Sequence, residues 1–215
     1  MIQRSTTCVI GAETMRETIS GLYGEGSPPT EDADIIAQSC PHQLQKSLNV
    51  DTTRWQNEQD KDILDGLKRV GFQLDNGPDD SGLFIKYIQR GGGYYMDVGC
   101  SKLIIDGKIA LKHGSISEVL PNGLRLDNGE VVEADEIVFA TGYLNMTTQT
   151  AQIFGREIAD KVKDVWGFDE EGEIRTMWRE SGHPGLWMMG GNLALCRWYS
   201  RVLALQILRL EVGVE

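Results

Sequence analysis

The strongest indication of the fold is given by residues 135–143, Asp-Glu-Ile-Val-Phe-Ala-Thr-Gly-Tyr. Residues 136–140 form a nearly continuous apolar run, which is typical of a strand that is covered on both faces in a parallel sheet. Ala140, Thr141 and Gly142 then form a turn of small residues, which lets the main chain come close to a ligand. A buried strand that ends in such a turn predicts an α/β core with a ligand near the strand end.

Residues 108–133, just before this stretch, alternate in hydropathy as strands do. Three strands are expected, at residues 108–113, 116–119 and 123–127. Asn122-Gly123 and Asn128-Gly129 are favourable hairpin turns, because both residues of an Asn-Gly pair adopt positive φ. The sequence therefore predicts a three-stranded antiparallel β-meander that leads into the α/β core.

Helices are predicted on the N-terminal side of the meander. Thr30 and the acidic residues after it favour the start of a helix, which Pro41 ends or kinks. A second helix is expected over residues 53–70, with Gly71 as its C-terminal stop. Together they predict a helical insertion at about residues 30–72. Residues 1–30 are expected to form a short strand and then a loop, because glycine and proline interrupt any periodic pattern there.

A strand, a glycine turn and a helix are predicted near the C-terminus. The sequence Gly-Leu-Trp-Met-Met-Gly-Gly, residues 185–191, is expected to be a short buried strand that ends in two glycines. A helix follows over residues 197–212, with Leu203, Ile207 and Leu210 on its buried face. This order again brings the main chain close to a ligand.

Composition and motifs exclude several classes of function. The 215 residues carry a net charge of −11, which disfavours non-specific binding to nucleic acid or anionic lipid but leaves room for a local basic phosphate pocket. The four cysteines are scattered, with no C-x-x-C pair, so reduced cytosolic thiols are expected and no metal site. The chain lacks a signal peptide, an apolar stretch long enough to span a membrane, and a G-x-G-x-x-G fingerprint. A cytoplasmic location is therefore expected.

The order of these parts resembles the C-terminal part of a flavin-containing monooxygenase, of the fungal type that is similar to plant flavin monooxygenases. The residues that carry the resemblance are Gln3-Arg4-Ser5, the meander, Arg-Gly-Gly-Gly-Tyr-Tyr at 90–95, residues 137–143, and Gly-Leu-Trp-Met-Met-Gly-Gly-Asn at 185–192. The resemblance implies a partial two-dinucleotide-binding-domain fold, Rossmann-like, for FAD and NADPH. Residues 1–143 would be the C-terminal portion of the NADPH-binding domain, and residues 144–215 that of the FAD-binding domain. Both glycine fingerprints would then lie upstream of Met1.

Three groups of candidate cofactor-binding residues follow from the motifs and the resemblance. Arg4 and Ser5 could recognise the 2′-phosphate of NADPH, since a guanidinium offers forked donors to a dianion; the alternative is surface decoration. Ala140, Thr141, Gly142 and Tyr143 could lie near cofactor, or form a tight structural turn. The third group could bind the pyrimidine edge of the flavin, or simply close a loop onto the last helix; it comprises Gly190, Gly191, Asn192 and Leu193.

The resemblance implies an FAD- and NADPH-dependent monooxygenase, which inserts one oxygen atom from dioxygen into a small organic substrate. No catalytic side chain is assigned, because the cofactor supplies the chemistry and the protein positions it. This chain alone is expected to hold little flavin and to be inactive. An alternative is a non-catalytic binding or regulatory module, with a protein partner on its exposed sheet. A relative of the pyridine-nucleotide disulfide reductases would need a redox C-x-x-C pair, which this sequence lacks.

Overall fold

Helices and short strands alternate along residues 1–213, the part of the chain that the computed structural model describes, and the fold is mixed α/β. The chain divides into two compact units. Unit 1 contains residues 1–18, 49–86 and 92–142, and unit 2 contains residues 19–48, 87–91 and those from 143 onward.

The strands all lie in unit 1 and form three small sheets within the described residues. Two sheets are parallel pairs, and the third is an antiparallel meander in the order β5-β6-β7. The parallel pairs are β1 (Ile2–Gln3) with β4 (Lys112–His113) and β2 (Cys8–Gly11) with β3 (Tyr94–Asp97), and the meander comprises β5 (Ile116–Leu120), β6 (Gly123–Leu126) and β7 (Val131–Glu133).

Nine α-helices occur in the described part of the chain. The longest are the third, with 18 residues, and the ninth, with 19. In chain order they are α1 (Ala12–Tyr23), α2 (Thr30–Gln38), α3 (His42–Gln59), α4 (Lys61–Arg69), α5 (Gly82–Arg90), α6 (Cys100–Ile105), α7 (Met146–Phe154), α8 (Arg156–Ala159) and α9 (Leu193–Glu211).

The core of unit 1 lies on the two faces of the β2–β3 pair. Val9 points to one face, where it packs with Leu67 of α4 and Ile104 of α6. Cys8 and Ile10 point to the other face and pack with Met15 and Leu83. Because successive side chains of a strand alternate between faces, four apolar or small residues suffice to bury β2 on both sides.

The core of unit 2 is built largely from irregular chain. Val165, Met177 and Trp178 are buried there together with Leu203 of α9. The Trp178 and Tyr199 rings stack, with centroids 6.3 Å apart and planes 19° from parallel. Side-chain packing, rather than a sheet, therefore fixes the chain that precedes α9.

The predicted meander is confirmed, but its strands are displaced along the sequence. The first predicted strand supplies β4, which pairs in parallel with β1 instead of joining the meander. The third strand of the meander is β7, beyond the Asn128-Gly129 turn. The turn residues thus predicted the positions of the hairpins, whereas the pairing of residues 112–113 depended on β1, 110 residues earlier.

Residues 136–140 do not form the predicted buried strand. They have no regular secondary structure, and Val138 and Phe139 are exposed, at 89% and 57% of their surface. An isolated strand is not stable, because its backbone groups need a neighbouring strand to bond. Within residues 1–213 no strand pairs with this segment, so the prediction of a parallel sheet at this point was wrong.

Of the three predicted helices one is correct and two are incomplete, and a further helix was missed. The helix predicted from Thr30 is α2. Residues 1–30 contain α1, which was predicted as loop, and the helix predicted over 53–70 is divided at Asp60 into α3 and α4. The last helix begins four residues before the predicted start, and Ile207 and Leu210 of its predicted buried face are exposed.

Candidate functional site

The turn formed by Gly190 and Gly191 is closely packed within unit 2. Gly191 has a φ of +106°, and a Cβ at this position would lie 2.8 Å from Leu195 Cδ1 and 3.2 Å from Tyr87 Oη. A Cβ at Gly190 would lie 3.3 Å from Met177 Cε. Gly191 is thus favoured both by its backbone conformation and by the side chains around it, whereas a Cβ at Gly190 would require only a small shift of the Met177 methyl group.

Asn192 caps α9, and its side-chain oxygen is therefore already occupied. Asn192 Oδ1 accepts a hydrogen bond from the Leu195 amide at 3.0 Å, and the Asn192 carbonyl accepts one from Cys196. The Leu193 and Ala194 amides have no acceptor among residues 1–213, and the Leu193 side chain is 87% exposed. The first turn of α9 consequently offers two N–H donors at the positive end of the helix dipole, where an electron-rich group binds favourably.

Three non-glycine residues near this turn have positive φ. Trp166, Thr176 and Trp178 adopt φ values of 68°, 61° and 64°. The Trp178 indole donates from Nε1 to the Gly190 carbonyl at 3.0 Å, so one of the strained residues directly holds the glycine turn. Bulky and β-branched residues rarely adopt this conformation, and such strain concentrates at functional sites. The sequence carries no signal for these backbone angles.

Ala140–Tyr143 lie on an exposed segment that packs against little. Gly142 has a φ of +83°, and a Cβ there would meet no atom within 4 Å. Tyr143 is fully exposed and Leu144 is 76% exposed. The positive φ explains the glycine at position 142, and no other part of the described chain comes close to it.

Arg4 and Ser5 follow β1 directly, and both are exposed. The end of β1 is fixed by the buried side chain of Gln3, which donates to the Gln73 carbonyl at 2.8 Å and accepts from the Gln73 amide at 2.9 Å. No residue of the described chain forms an ion pair with Arg4. Its guanidinium is thus held on a fixed strand end with its donors available.

The three predicted groups fall in both units. Arg4, Ser5, Ala140, Thr141 and Gly142 belong to unit 1, and no hydrogen bond joins the first two to the last three within the described residues. In unit 2, by contrast, the structure brings together the whole glycine turn at the start of α9. The predicted site residues that lie in unit 2 are Tyr143, Gly190, Gly191, Asn192 and Leu193.

A partly buried ion pair that the sequence did not reveal holds α9 in unit 2. Arg197 donates from Nε and Nη2 to the two oxygens of Asp34, both at 2.6 Å, and Tyr23 Oη donates to the same carboxylate at 2.9 Å. Asp34 is only 4% exposed. Because Asp34 and Arg197 are 163 residues apart, no local pattern could have paired them. The fork lies one turn beyond the Asn192 cap and orients the first turns of α9.

Replacing Arg197 with methionine is expected to lower the free energy of unfolding, because the Asp34 carboxylate loses both hydrogen bonds of the guanidinium. Urea denaturation followed by circular dichroism would measure the change. Arg201→Met removes a cation from the next turn of the same helix, which attracts Asp34 electrostatically but donates no hydrogen bond to it, and should cost less than Arg197→Met. Equal losses in the two variants would contradict a specific role for the fork.

The same pair predicts a pH dependence. The hydrogen bonds from Arg197 hold the pKa of Asp34 below its ordinary value, because they stabilise the charged carboxylate. A depressed folded-state pKa adds stability above the unfolded pKa, which is about 3.9, and this stability is lost as the pH falls through the folded value. The wild-type and Arg197→Met unfolding free energies should therefore converge as the pH falls from about 5 to about 2.

No helix among the described residues is long and apolar enough to cross a membrane. Within the same residues, no group of three or more His, Cys, Asp or Glu side chains is arranged to hold a metal ion. Comparison with known proteins gave no match to a protein-family model and none to a curated protein.

Proposed function

We propose that the chain is part of an FAD- and NADPH-dependent monooxygenase that oxygenates a small organic substrate. The observation that carries the proposal is the glycine turn before α9, where close packing, strained backbone and two N–H donors without acceptors coincide. Bound flavin would accept reducing equivalents from NADPH and activate dioxygen. The role of this chain is to bind and orient the two cofactors.

The start of α9 fits the electron-rich edge of a flavin ring. The Leu193 and Ala194 amides are donors at a helix N-terminus, and such a terminus stabilises negative charge that develops when the ring is reduced. Asn192 retains its Nδ2 group as a further donor, because only its oxygen caps the helix. These groups would bind the ring, whereas a pyrophosphate cradle would come from glycine fingerprints that this sequence does not contain.

Arg4 and Ser5 fit the 2′-phosphate of NADPH. The Arg4 guanidinium has free donors at a fixed strand end, and forked donors match the oxygens of a phosphate. Under this proposal residues 1–143 are the C-terminal portion of a Rossmann-like NADPH-binding domain, and residues 144–215 that of the FAD-binding domain.

A second candidate function is a non-catalytic binding module. It is favoured by the exposure of Val138, Phe139, Tyr143 and Leu144, which together form an apolar segment of a kind that often marks a protein interface. A protein partner would then cover this segment, and neither cofactor would be needed.

A flavin titration tests the proposal and separates the two candidates. We expect the purified chain to be colourless and to quench added FAD fluorescence only weakly. Leu193→Pro should weaken that binding by about tenfold, because proline at the first helical position removes one N–H donor while its φ suits the helix. Unfolding free energies of the two proteins should agree within about 0.5 kcal/mol.

The opposite result would favour the binding module. No change in FAD fluorescence or absorbance at millimolar FAD, or equal affinities for wild type and Leu193→Pro, would contradict the flavin site. A longer form with two glycine fingerprints ahead of Met1 should be yellow and should oxidise NADPH, and a colourless long form would contradict the monooxygenase.

A further inference from the structure

Unit 2 contains a cleft with a concentration of basic side chains. The cleft has a volume of about 410 Å³, and four cations line it together with the carboxylates of Asp169 and Glu180. We call it the basic cleft and define it by Lys163, Arg175, Arg179 and Arg209. Four cations and two carboxylates give the lining a net charge of +2, which Asp164, paired with Arg175 beside the lining, lowers to +1, in a chain whose net charge is −11. Its volume lies in the range typical of small-molecule sites.

The cations of the basic cleft are only partly neutralised. Arg175 contacts Asp164 through Nη1 at 3.4 Å, Arg179 contacts Asp169 through Nη1 at 2.8 Å, and Arg209 contacts Glu180 through Nη2 at 3.0 Å. Each contact involves a single terminal nitrogen, so each guanidinium keeps further donors. Lys163 forms no ion pair with any residue of the described chain. Donors for an anion therefore remain on several sides of the cleft.

The walls of the basic cleft are held in place by the surrounding chain. Arg175 Nε donates to the Trp166 carbonyl at 2.9 Å, and its guanidinium lies over Gly167, where a Cβ would be 2.6 Å from Nη2. The Thr176 hydroxyl donates to the Asp164 carbonyl at 2.8 Å, and Thr176 has the strained φ of 61°. Main chain that is fixed in a strained conformation beside charged side chains is typical of preorganised sites.

We propose that the basic cleft binds a phosphate-bearing small molecule. Guanidinium groups match phosphate oxygens with forked donors, and a lysine adds a mobile point charge. None of its lining residues belongs to the groups assigned to FAD or NADPH, so this site goes beyond the proposed function. The shared chemistry is a dianionic phosphate, which either a free phosphate or a phosphate ester would supply.

Calorimetric titration of the 215-residue chain with inorganic pyrophosphate, and separately with a phosphate monoester, tests the site. Binding of either ligand is expected to weaken about tenfold in Lys163→Gln, since one charge-assisted contact is lost. Lys161→Gln is the matched control, because Lys161 lies on the same segment outside the cleft lining, and its affinity should equal that of wild type.

A third variant distinguishes a binding site from an ordinary network of surface ion pairs. Glu180→Gln removes the carboxylate that competes for Arg209 and should tighten binding several-fold. Circular dichroism would show that all variants fold like the wild type. The proposal would be overturned if neither ligand bound at a concentration of about 10 mM, because a weaker affinity than this would not indicate a specific site. Affinities that are unchanged in Lys163→Gln and Glu180→Gln would overturn it equally, whatever the flavin titration gives.

Discussion

Replacing Gly191 with alanine is expected to lower the free energy of unfolding by about 3 kcal/mol. Two effects add. The φ of +106° is strained for any residue with a Cβ, and the new methyl group would overlap Leu195 Cδ1 and approach Tyr87 Oη. Because these atoms hold the start of α9, the first turn of that helix should shift. We expect flavin binding, where it is detected, to fall together with stability.

Gly185→Ala is the matched control for this prediction. Gly185 has a φ of +79°, but a Cβ there would meet no atom within 4 Å. Its replacement should therefore cost only the backbone strain, about 1 kcal/mol. Denaturation curves of the two variants separate crowding from strain. Equal losses would show that the close packing around Gly191 contributes nothing.

Local sequence signals predicted the elements whose causes are local. The Asn-Gly pairs at 122–123 and 128–129 lie at the two turns of the meander as predicted, although only their glycines, and not Asn122 or Asn128, adopt positive φ. The acidic start after Thr30 likewise predicted α2. Gly71, with φ +87°, lies just beyond the C-terminus of α4, as predicted.

Elements that depend on distant residues were missed or misplaced. The apolar pattern of residues 136–140 indicates a strand, yet a strand forms only beside a partner, and none is present within residues 1–213. The early start of α9 depends on Asn192, which is its N-cap. In the sequence, the two glycines before Asn192 indicate a turn at this point, and the helix was therefore predicted to begin later. Such outcomes are decided by tertiary contacts, which a single sequence does not display.

The candidate site was predictable as a motif but not as a geometry. Gly190 and Gly191 could be selected from sequence because paired glycines before a helix are distinctive. The residues that give the turn its shape are Trp166 and Trp178, and nothing in their sequence context indicates positive φ. The Asp34–Arg197 fork was equally hidden by its sequence separation.

Replacing Asp60 with alanine is expected to destabilise unit 1 by about 3 kcal/mol. Asp60 is buried, and its carboxylate accepts from the Gly11 amide and from the Thr14 hydroxyl, both at 2.6 Å. These donors stand at the start of α1, where a negative charge also interacts favourably with the helix dipole. Alanine would leave both donors buried without an acceptor, and urea denaturation would measure the loss.

Asp60 also explains two errors of the sequence prediction together. Its carboxylate binds two donors at the start of α1 although it lies 49 residues from Gly11 in the sequence, and the chain breaks between α3 and α4 at this residue. Asp62→Ala, an exposed change in the first turn of α4, should cost less than about 1 kcal/mol. If Asp60 acts through Thr14, the double variant Asp60→Ala with Thr14→Val should cost less than the sum of the two single losses. Strict additivity would instead mean that the carboxylate stabilises α1 through Gly11 and the helix dipole alone.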